Sequence, residues 1–450
     1  MKDFTKESLY KHILFMAIPI AINMILQTMT NLVDVYFVGQ LGEHALAGVS
    51  TSGNINLINM LVTQVLFIGL MAIVSHAVGR KDFKEAKRIY SHGIFYGVTL
   101  AFGVLVLGEL FGELYLNTLV SSEETYLQAT HYLFWFVPLL SLQVIYTAFI
   151  APMYAVGLAK PFLYINICAQ LLNVCLTPTL IGGVSDVIPA LGVSGAALAS
   201  FVSGVVSLTL ALYYLCFVQK SLTIDIHLIR PNWDIFKRVL KIGLPSGATF
   251  LIYFINTAAI YWALNQIGSA EQAGFGLGGK VGESLLLPAM AIAFASPSIA
   301  GQNYAAGEHQ RVRSIFTITS IMTTVILTIV ALLCFFIPEQ LVGLFSDDGS
   351  VVHVASSYLH YVGLSFPVFG LIFTMSGMFQ ALGNTLPSLI SAVIRMMVFT
   401  STLYFLSSQP YFNMVNVWGL IVFASILQAV IMYLMLGKMF NHKLKQVIQT

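Results

Sequence analysis

The first long apolar run of the sequence is interrupted by Asn23, Gln27, Asn31 and Asp34. Positions i, i+4, i+8 and i+11 fall within one narrow face of a helix. Another run carries Asn166, Gln170, Asn173 and Thr177 at nearly the same spacing, and a third offers Asn56, Asn59 and Thr63. Amides and hydroxyls on three such helices can hydrogen-bond one another away from lipid. Asp34 is the only acid in the middle of an apolar run of the first half. A carboxylate inside a bilayer is expensive and marks a functional site by default. A structural, hydrogen-bonded acid is the alternative reading, and the cost favours function. A low dielectric favours the neutral acid, whereas amide donors such as Asn173 or a bound cation favour the carboxylate. What binds nearby can therefore switch its protonation, as a cation-driven transporter requires.

Pro19 precedes this stripe and cannot donate a helix hydrogen bond, so it favours a bend and is the expected hinge. In the second half, Lys280 and Glu283 stand at i, i+3 and are expected to pair on one face, either as a structural lock or in a functional role. Arg395 also lies within an apolar run. Aromatics and methionines are dense centrally, among them Tyr36, Met153, Tyr154, Phe254, Tyr261, Met375 and Met378. Most of these are core, but a few lining a cavity suit flat apolar or cationic ligands. Tyr36, Met153 and Tyr261 are placed there, with Gln27, Asn31, Asn166, Gln170 and Asn256. GFGLGG at 274–279 satisfies GxGxxG, but no strand precedes it and it opens an apolar run, which argues against a dinucleotide site. No HExxH, GxSxG or Walker A motif occurs, so no cofactor and no enzyme are indicated. The driving force is then an ion gradient or the substrate's own.

These residues need membrane-spanning helices to position them. The 450 residues are 58% hydrophobic and only 9% charged, against about a quarter charged in soluble chains. Runs of about 20 apolar residues, the length that crosses a bilayer, fall near 13–38, 47–77, 90–116, 126–155, 160–181, 191–217, 240–267, 274–302, 314–338, 352–381, 387–407 and 415–438. Assigning the termini and every second loop to the cytoplasm places every Lys and Arg there except Lys280 and Arg395. The opposite loops hold only acids, Glu123, Glu124, Asp186, Glu339, Asp347 and Asp348. That asymmetry predicts cytoplasmic termini. The net charge is +2 without a basic stripe, which excludes nucleic acid as a partner. Cys168, Cys175, Cys216 and Cys334 form no CxxC pair and are expected as packing residues.

Shifting the chain by about 226 positions aligns it with itself. Pro19 meets Pro245, Gln40 meets Gln266, Gly42 meets Gly268, and YAVGLAKP ending at Pro161 meets QALGNTLP ending at Pro387. The expected domains are 1–225 and 226–450, six spans each, joined by the polar loop 218–238. Both halves start on the same side, so the repeat is parallel, a known transporter plan with a central cavity.

The first span with NLVDVYFVGQLG, the paired QLGEHALAG and QIGSAEQAG, the turn AGQNYAAGEHQR and QALGNTLP, in this order and within a twofold repeat, resemble the multidrug and toxic compound extrusion (MATE) transporters over nearly the whole chain. The resemblance implies an all-α membrane protein of two six-helix lobes in a V, acting as a monomer in the plasma membrane and exporting cationic or amphipathic drugs against protons or sodium. It implies that Asp34 is the cation-coupling acid, that Asn173 matches the fifth-span asparagine, and that Ser200 matches the sixth-span hydroxyl. Where the family pattern often has an aspartate four residues after that asparagine, this chain has Thr177. A site of Asp34, Asn173, Thr177 and Ser200 carries a single negative charge, which weakens the case for a sodium ion near Asp34. Where some sodium-driven members keep a second-half acid, this chain offers Asn256 and Ser365. Proton coupling is the preferred expectation and sodium the alternative. A lipid-linked precursor flippase is the further alternative, and only Lys280 and Arg395 are there to meet its phosphates.

Overall fold

The computed structural model describes residues 2–120, 122–184, 189–220 and 222–444. Asp186, one of the acids expected in an outer loop, lies outside them. Twelve helices among the described residues are long and apolar enough to cross a membrane: α1 Leu9–Gly39, α2 Glu43–Gly79, α3 Phe83–Leu119, α4 Glu123–Ala155, α5 Ala159–Gly182, α6 Val193–Val218, α7 Trp233–Asn265, α8 Ser269–Ala305, α9 His309–Phe336, α10 Gly349–Ala381, α11 Leu386–Ser407 and α12 Met414–Lys443. Each expected run overlaps one of them, and those near 191–217, 240–267 and 314–338 pass a helix end by two residues. The helices outrun the apolar runs where polar residues anchor their ends. Thus α7 begins at Trp233 rather than near 240, and Arg238 in its first turns donates to Glu85 at 2.8 Å.

Two spans are interrupted. A turn at Asn54–Ile55 splits α2 into Glu43–Gly53 and Asn56–Gly79. A short 3-10 stretch, Gly363–Ser365, splits α10 just before Pro367, whose missing N–H breaks the helical ladder. The repeat is visible in the backbone as well. Gly157 and Gly383, matched in sequence, both close their turns at positive φ, 81° and 68°, a conformation open to glycine at no steric cost.

Contacts divide the chain into two compact units, Met1–Asp3 with Ile22–Gly247, and Phe4–Ala21 with Ala248–Thr450. The division falls inside α1 and α7, just after Pro19 and its repeat partner Pro245. In the first unit the opening half of α7 packs closely on α2, because Gly69 faces the Val239 carbonyl and Gly243 faces that of Val65. A Cβ on Gly69 would lie 2.6 Å from that oxygen. Glycine at such contacts lets helices approach in lipid, where hydrophobicity alone does not bring them together. In the second unit Phe4 is fully buried. Its N–H donates to Gln302 Oε1 at 3.2 Å, and its carbonyl accepts from Asn303 Nδ2 and Arg311 Nη2, each at 3.1 Å. The glycines of the GFGLGG segment serve packing, Gly274 against Val354 and Gly278 against Tyr358 and Ala355 of α10. Of the four cysteines expected in packing, only Cys334 is buried; Cys168, Cys175 and Cys216 are exposed.

Candidate functional site

The polar faces of α1 and α5 meet. Asn166 Nδ2 donates to Asn23 Oδ1 at 2.9 Å, Gln170 Nε2 to Gln27 Oε1 at 3.4 Å, and Thr177 Oγ1 to Asp34 Oδ1 at 2.9 Å. All three pairs are 143 positions apart. A constant offset means that the helices run in the same direction in register, so equal spacing on both makes a ladder. Thr30 strengthens it by donating to Gln170 Oε1 at 2.8 Å, and Gln27 Nε2 reaches Asn31 Oδ1 at 3.4 Å.

At the Asp34 end of the ladder, Asn173 Nδ2 donates to Ser200 Oγ of α6 at 3.0 Å. Ser200 keeps its own hydrogen to donate and interacts with the Asp34 carboxyl, as Thr177 does. Asn173 and Thr177 are buried, and Asp34 and Ser200 are half-buried. Asn173 Oδ1 is buried without a hydrogen-bond partner, an acceptor left for a cation or a protonated group. Asp34 takes part in none of the ion pairs of the described residues. The four residues expected at the cation site are thus together, with hydroxyl donors stabilising a lone carboxylate.

Several members of this network escaped sequence reading. Tyr146 OH and Ser207 Oγ donate to Asn166 Oδ1 at 2.7 and 3.4 Å, and Tyr132 lies near Asp34. Thr30 had a signal, since it sits one turn before Asp34 on the stripe. The α2 face, expected to join α1 and α5, turns elsewhere: Asn59 Nδ2 donates to Gln143 Oε1 of α4 at 2.9 Å, and Thr63 bonds its own helix.

Met153 is fully buried in the core formed with α2 and α3, at the closing turn of α4, where its carbonyl accepts from Leu158 N. Asn256 is 3% exposed, and its amide is spent on the Ile252 carbonyl of its own helix. Ser365 is likewise buried, donating to the Val362 carbonyl. Tyr36 is exposed, with its ring edge-on to Phe37. Lys280 and Glu283 form no ion pair within 4.0 Å, because their side chains have different neighbours: Lys280 is exposed along an open groove with Tyr261, whereas Glu283 lies near Tyr253 and Tyr358. Arg395 is also near those tyrosines and donates to Gln428 Oε1 at 3.2 Å.

Comparison with known proteins matches this architecture. The chain is similar to the multidrug export protein MepA of Staphylococcus aureus, 24% identical over 95% of this chain and 94% of the relative. It is 25% identical to the protein of the same name from Staphylococcus saprophyticus, over 94% and 93%. Among solved structures, a MOP superfamily transporter from Pyrococcus furiosus superposes with a TM-score of 0.91 at 21% identity, covering 99% of this chain and 98% of that one. An outward-facing multidrug resistance MATE family transporter of the MOP superfamily gives the same TM-score of 0.91 at 21% identity, over 99% and 98%. These likenesses support the fold. Residues 19–179 and 245–406, one segment in each half and together well over half of the chain, each match the MatE family, and the protein is a multi-pass membrane protein belonging to that family.

Proposed function

We propose that this protein is a cation-coupled antiporter that exports cationic or amphipathic drugs and toxic organic compounds across the plasma membrane, driven by protonation of Asp34. The observation that carries the reading is the Thr177 to Asp34 hydrogen bond at the end of the α1–α5 ladder. It holds the one acid of that polar network between hydroxyl donors, where adding a proton or binding a ligand changes the charge of the site. The family and the MepA relatives support multidrug export as the activity. Both termini are assigned to the cytoplasm by the distribution of Lys and Arg. The transport unit is a monomer of two six-helix lobes, 1–225 and 226–450.

Protonation of Asp34 and occupation of the drug cavity alternate, so that proton entry from outside releases drug outward. One proton supplies about 2.3 kcal/mol per 100 mV and about 1.4 kcal/mol per pH unit. At about 150 mV, one-for-one exchange with a neutral compound sustains a concentration ratio of several hundredfold. Sodium is the second reading, favoured by the unpartnered Asn173 Oδ1, which could serve as a neutral oxygen ligand. Against it, Asp34 is the one negative charge among Asp34, Asn173, Thr177 and Ser200, little to offset the dehydration of the ion.

The test is ethidium transport in proteoliposomes with proton and sodium gradients imposed separately. Asp34→Asn is expected to abolish uphill transport while leaving a folded protein. Uphill transport by Asp34→Asn under a pH gradient would sink the proposal, and sodium dependence at fixed pH would replace the proton with sodium.

A further inference from the structure

Trp233, Lys237, Lys241 and Leu244 stand at i, i+4, i+8 and i+11 of α7 and so share one face of its opening half, which belongs to the first unit. That face is turned away from α2, because Val239 and Gly243, which touch α2, fall on the opposite side of the helix. All four residues are exposed, Trp233 by 64% and Leu244 by 52%. An indole, two ammonium groups and then an apolar side chain, over about 16 Å of helix, follow the order from headgroups to hydrocarbon at a membrane surface.

The face is held in shape from behind. The Trp233 ring stacks on Phe236 at 5.3 Å, and Phe236 packs on Tyr96 of α3 at 5.0 Å. The Tyr96 hydroxyl accepts from Asn232 N at 2.7 Å, which fixes the chain just before the helix. The Lys237 ammonium lies 5.5 Å from the centre of the Trp233 ring. Its side chain therefore leans back toward the start of the helix, as a lysine does when it reaches from the hydrocarbon toward the headgroups.

The acids nearby are engaged elsewhere. Glu85 meets Arg88 and Arg238 at 3.7 and 2.8 Å, and Asp225 meets Lys87 at 3.6 Å. Asp234, three residues before Lys237, is in none of the ion pairs of the described residues, and neither is Lys237 or Lys241. Two uncompensated ammonium groups beside an interfacial indole complement a phosphate carried on acyl chains.

We propose that Trp233, Lys237 and Lys241 form a binding face for the headgroup of an anionic phospholipid, in the leaflet at which α7 begins. The lysines meet the phosphate, the indole lies at the level of the headgroups, and Leu244 meets the acyl chains. The face uses neither the drug cavity nor Asp34, so it stands apart from the efflux reading.

Bromine on an acyl chain quenches tryptophan on contact, which ranks lipids by their occupancy beside Trp233. The protein is reconstituted in equimolar phosphatidylglycerol and phosphatidylcholine with bromine on the chains of one lipid or the other, and the Trp233 signal is wild type minus Trp233→Phe. Brominated phosphatidylglycerol should quench it more strongly. Lys237→Gln and Lys241→Gln should each lower that preference about fivefold, whereas Lys237→Arg and Lys241→Arg should keep it. If Trp233→Phe does not fold, the same comparison is read from the total fluorescence of wild type and the lysine variants. Equal quenching by the two lipids on wild type overturns the site, as does a preference that survives both glutamines together. No quenching of Trp233 by either lipid gives the face to water or to protein and overturns it as well.

Discussion

Replacing Thr177 by Val keeps the shape of a fully buried side chain and removes its hydroxyl. That hydroxyl donates to Asp34 Oδ1 at 2.9 Å. A hydrogen bond to a charged acceptor contributes about 1.5–3 kcal/mol. Ser200 also faces the carboxyl and remains in place, so the lower end of the range applies. The hydroxyl binds the carboxylate more strongly than the neutral acid, so its loss favours protonated Asp34 by the difference between a charged and a neutral bond, about 1 kcal/mol, equivalent to about one pH unit at most. The expected result is a transport–pH profile moved by up to about one unit toward alkaline pH. Expression and drug affinity at saturating proton concentration should change little. The assay is drug exchange in proteoliposomes across a series of symmetric pH values, with Thr177→Ser, which retains the hydroxyl, as control. If the Thr177→Val and wild-type profiles superimpose, the hydroxyl does not tune the coupling acid, and the link between this bond and transport is lost.

Two further outcomes concern stability. A methyl at Gly243 would collide with the Val65 carbonyl, so Gly243→Ala should destabilise by about 1–3 kcal/mol. Gly103, inside α3 with nothing within 4 Å of a Cβ, should accept Ala with a gain of up to about 1 kcal/mol; thermal unfolding in detergent, followed with a thiol-reactive dye, should move in opposite directions for the pair. The start of α12 is a capping box in which Asn413 Oδ1 accepts from Val415 N and Asn416 N at 2.9 and 3.2 Å, while Asn416 Oδ1 accepts from Asn413 N at 3.0 Å. Asn413→Ala should cost about 1 kcal/mol and speed hydrogen exchange of the amides of Val415 and Asn416.

The spans were legible because lipid demands long apolar runs with internally satisfied backbones. Their true ends were less so, since a helix continues past the bilayer wherever polar partners wait for it, as Glu85 does for Arg238 in α7. Asp34 was legible from the cost of its burial, and Thr177 beside it only through the family resemblance; matched spacing on α1 and α5 showed that their polar faces could meet without naming the pairs. Tyr146 and Ser207 left no trace, because a lone polar residue among apolar neighbours has no period to detect. The burial of Met153 in a core cluster was not legible for the converse reason: an apolar side chain suits a core or a drug cavity equally.

The repeat makes the place of Asp34 more telling. The partners of Asp34 and Thr177 in the second half are Ile260 and Leu403, and the partner of Asn173 is Phe399. All three are buried in one hydrophobic cluster of the second unit. The same pair of helices is thus joined by a hydrogen-bonded ladder in one half and by apolar packing in the other. Apolar packing holds the helices without unsatisfied groups, so the fold itself does not require the ladder. A buried polar network is worth keeping only if every member is satisfied, and this one leaves Asn173 Oδ1 without a partner beside the acid. An arrangement that stability does not demand, present once in a duplicated frame, is what a site for a coupling ion should look like. The second unit has its charges elsewhere, with Lys280 exposed along α8 and Arg395 held by Gln428.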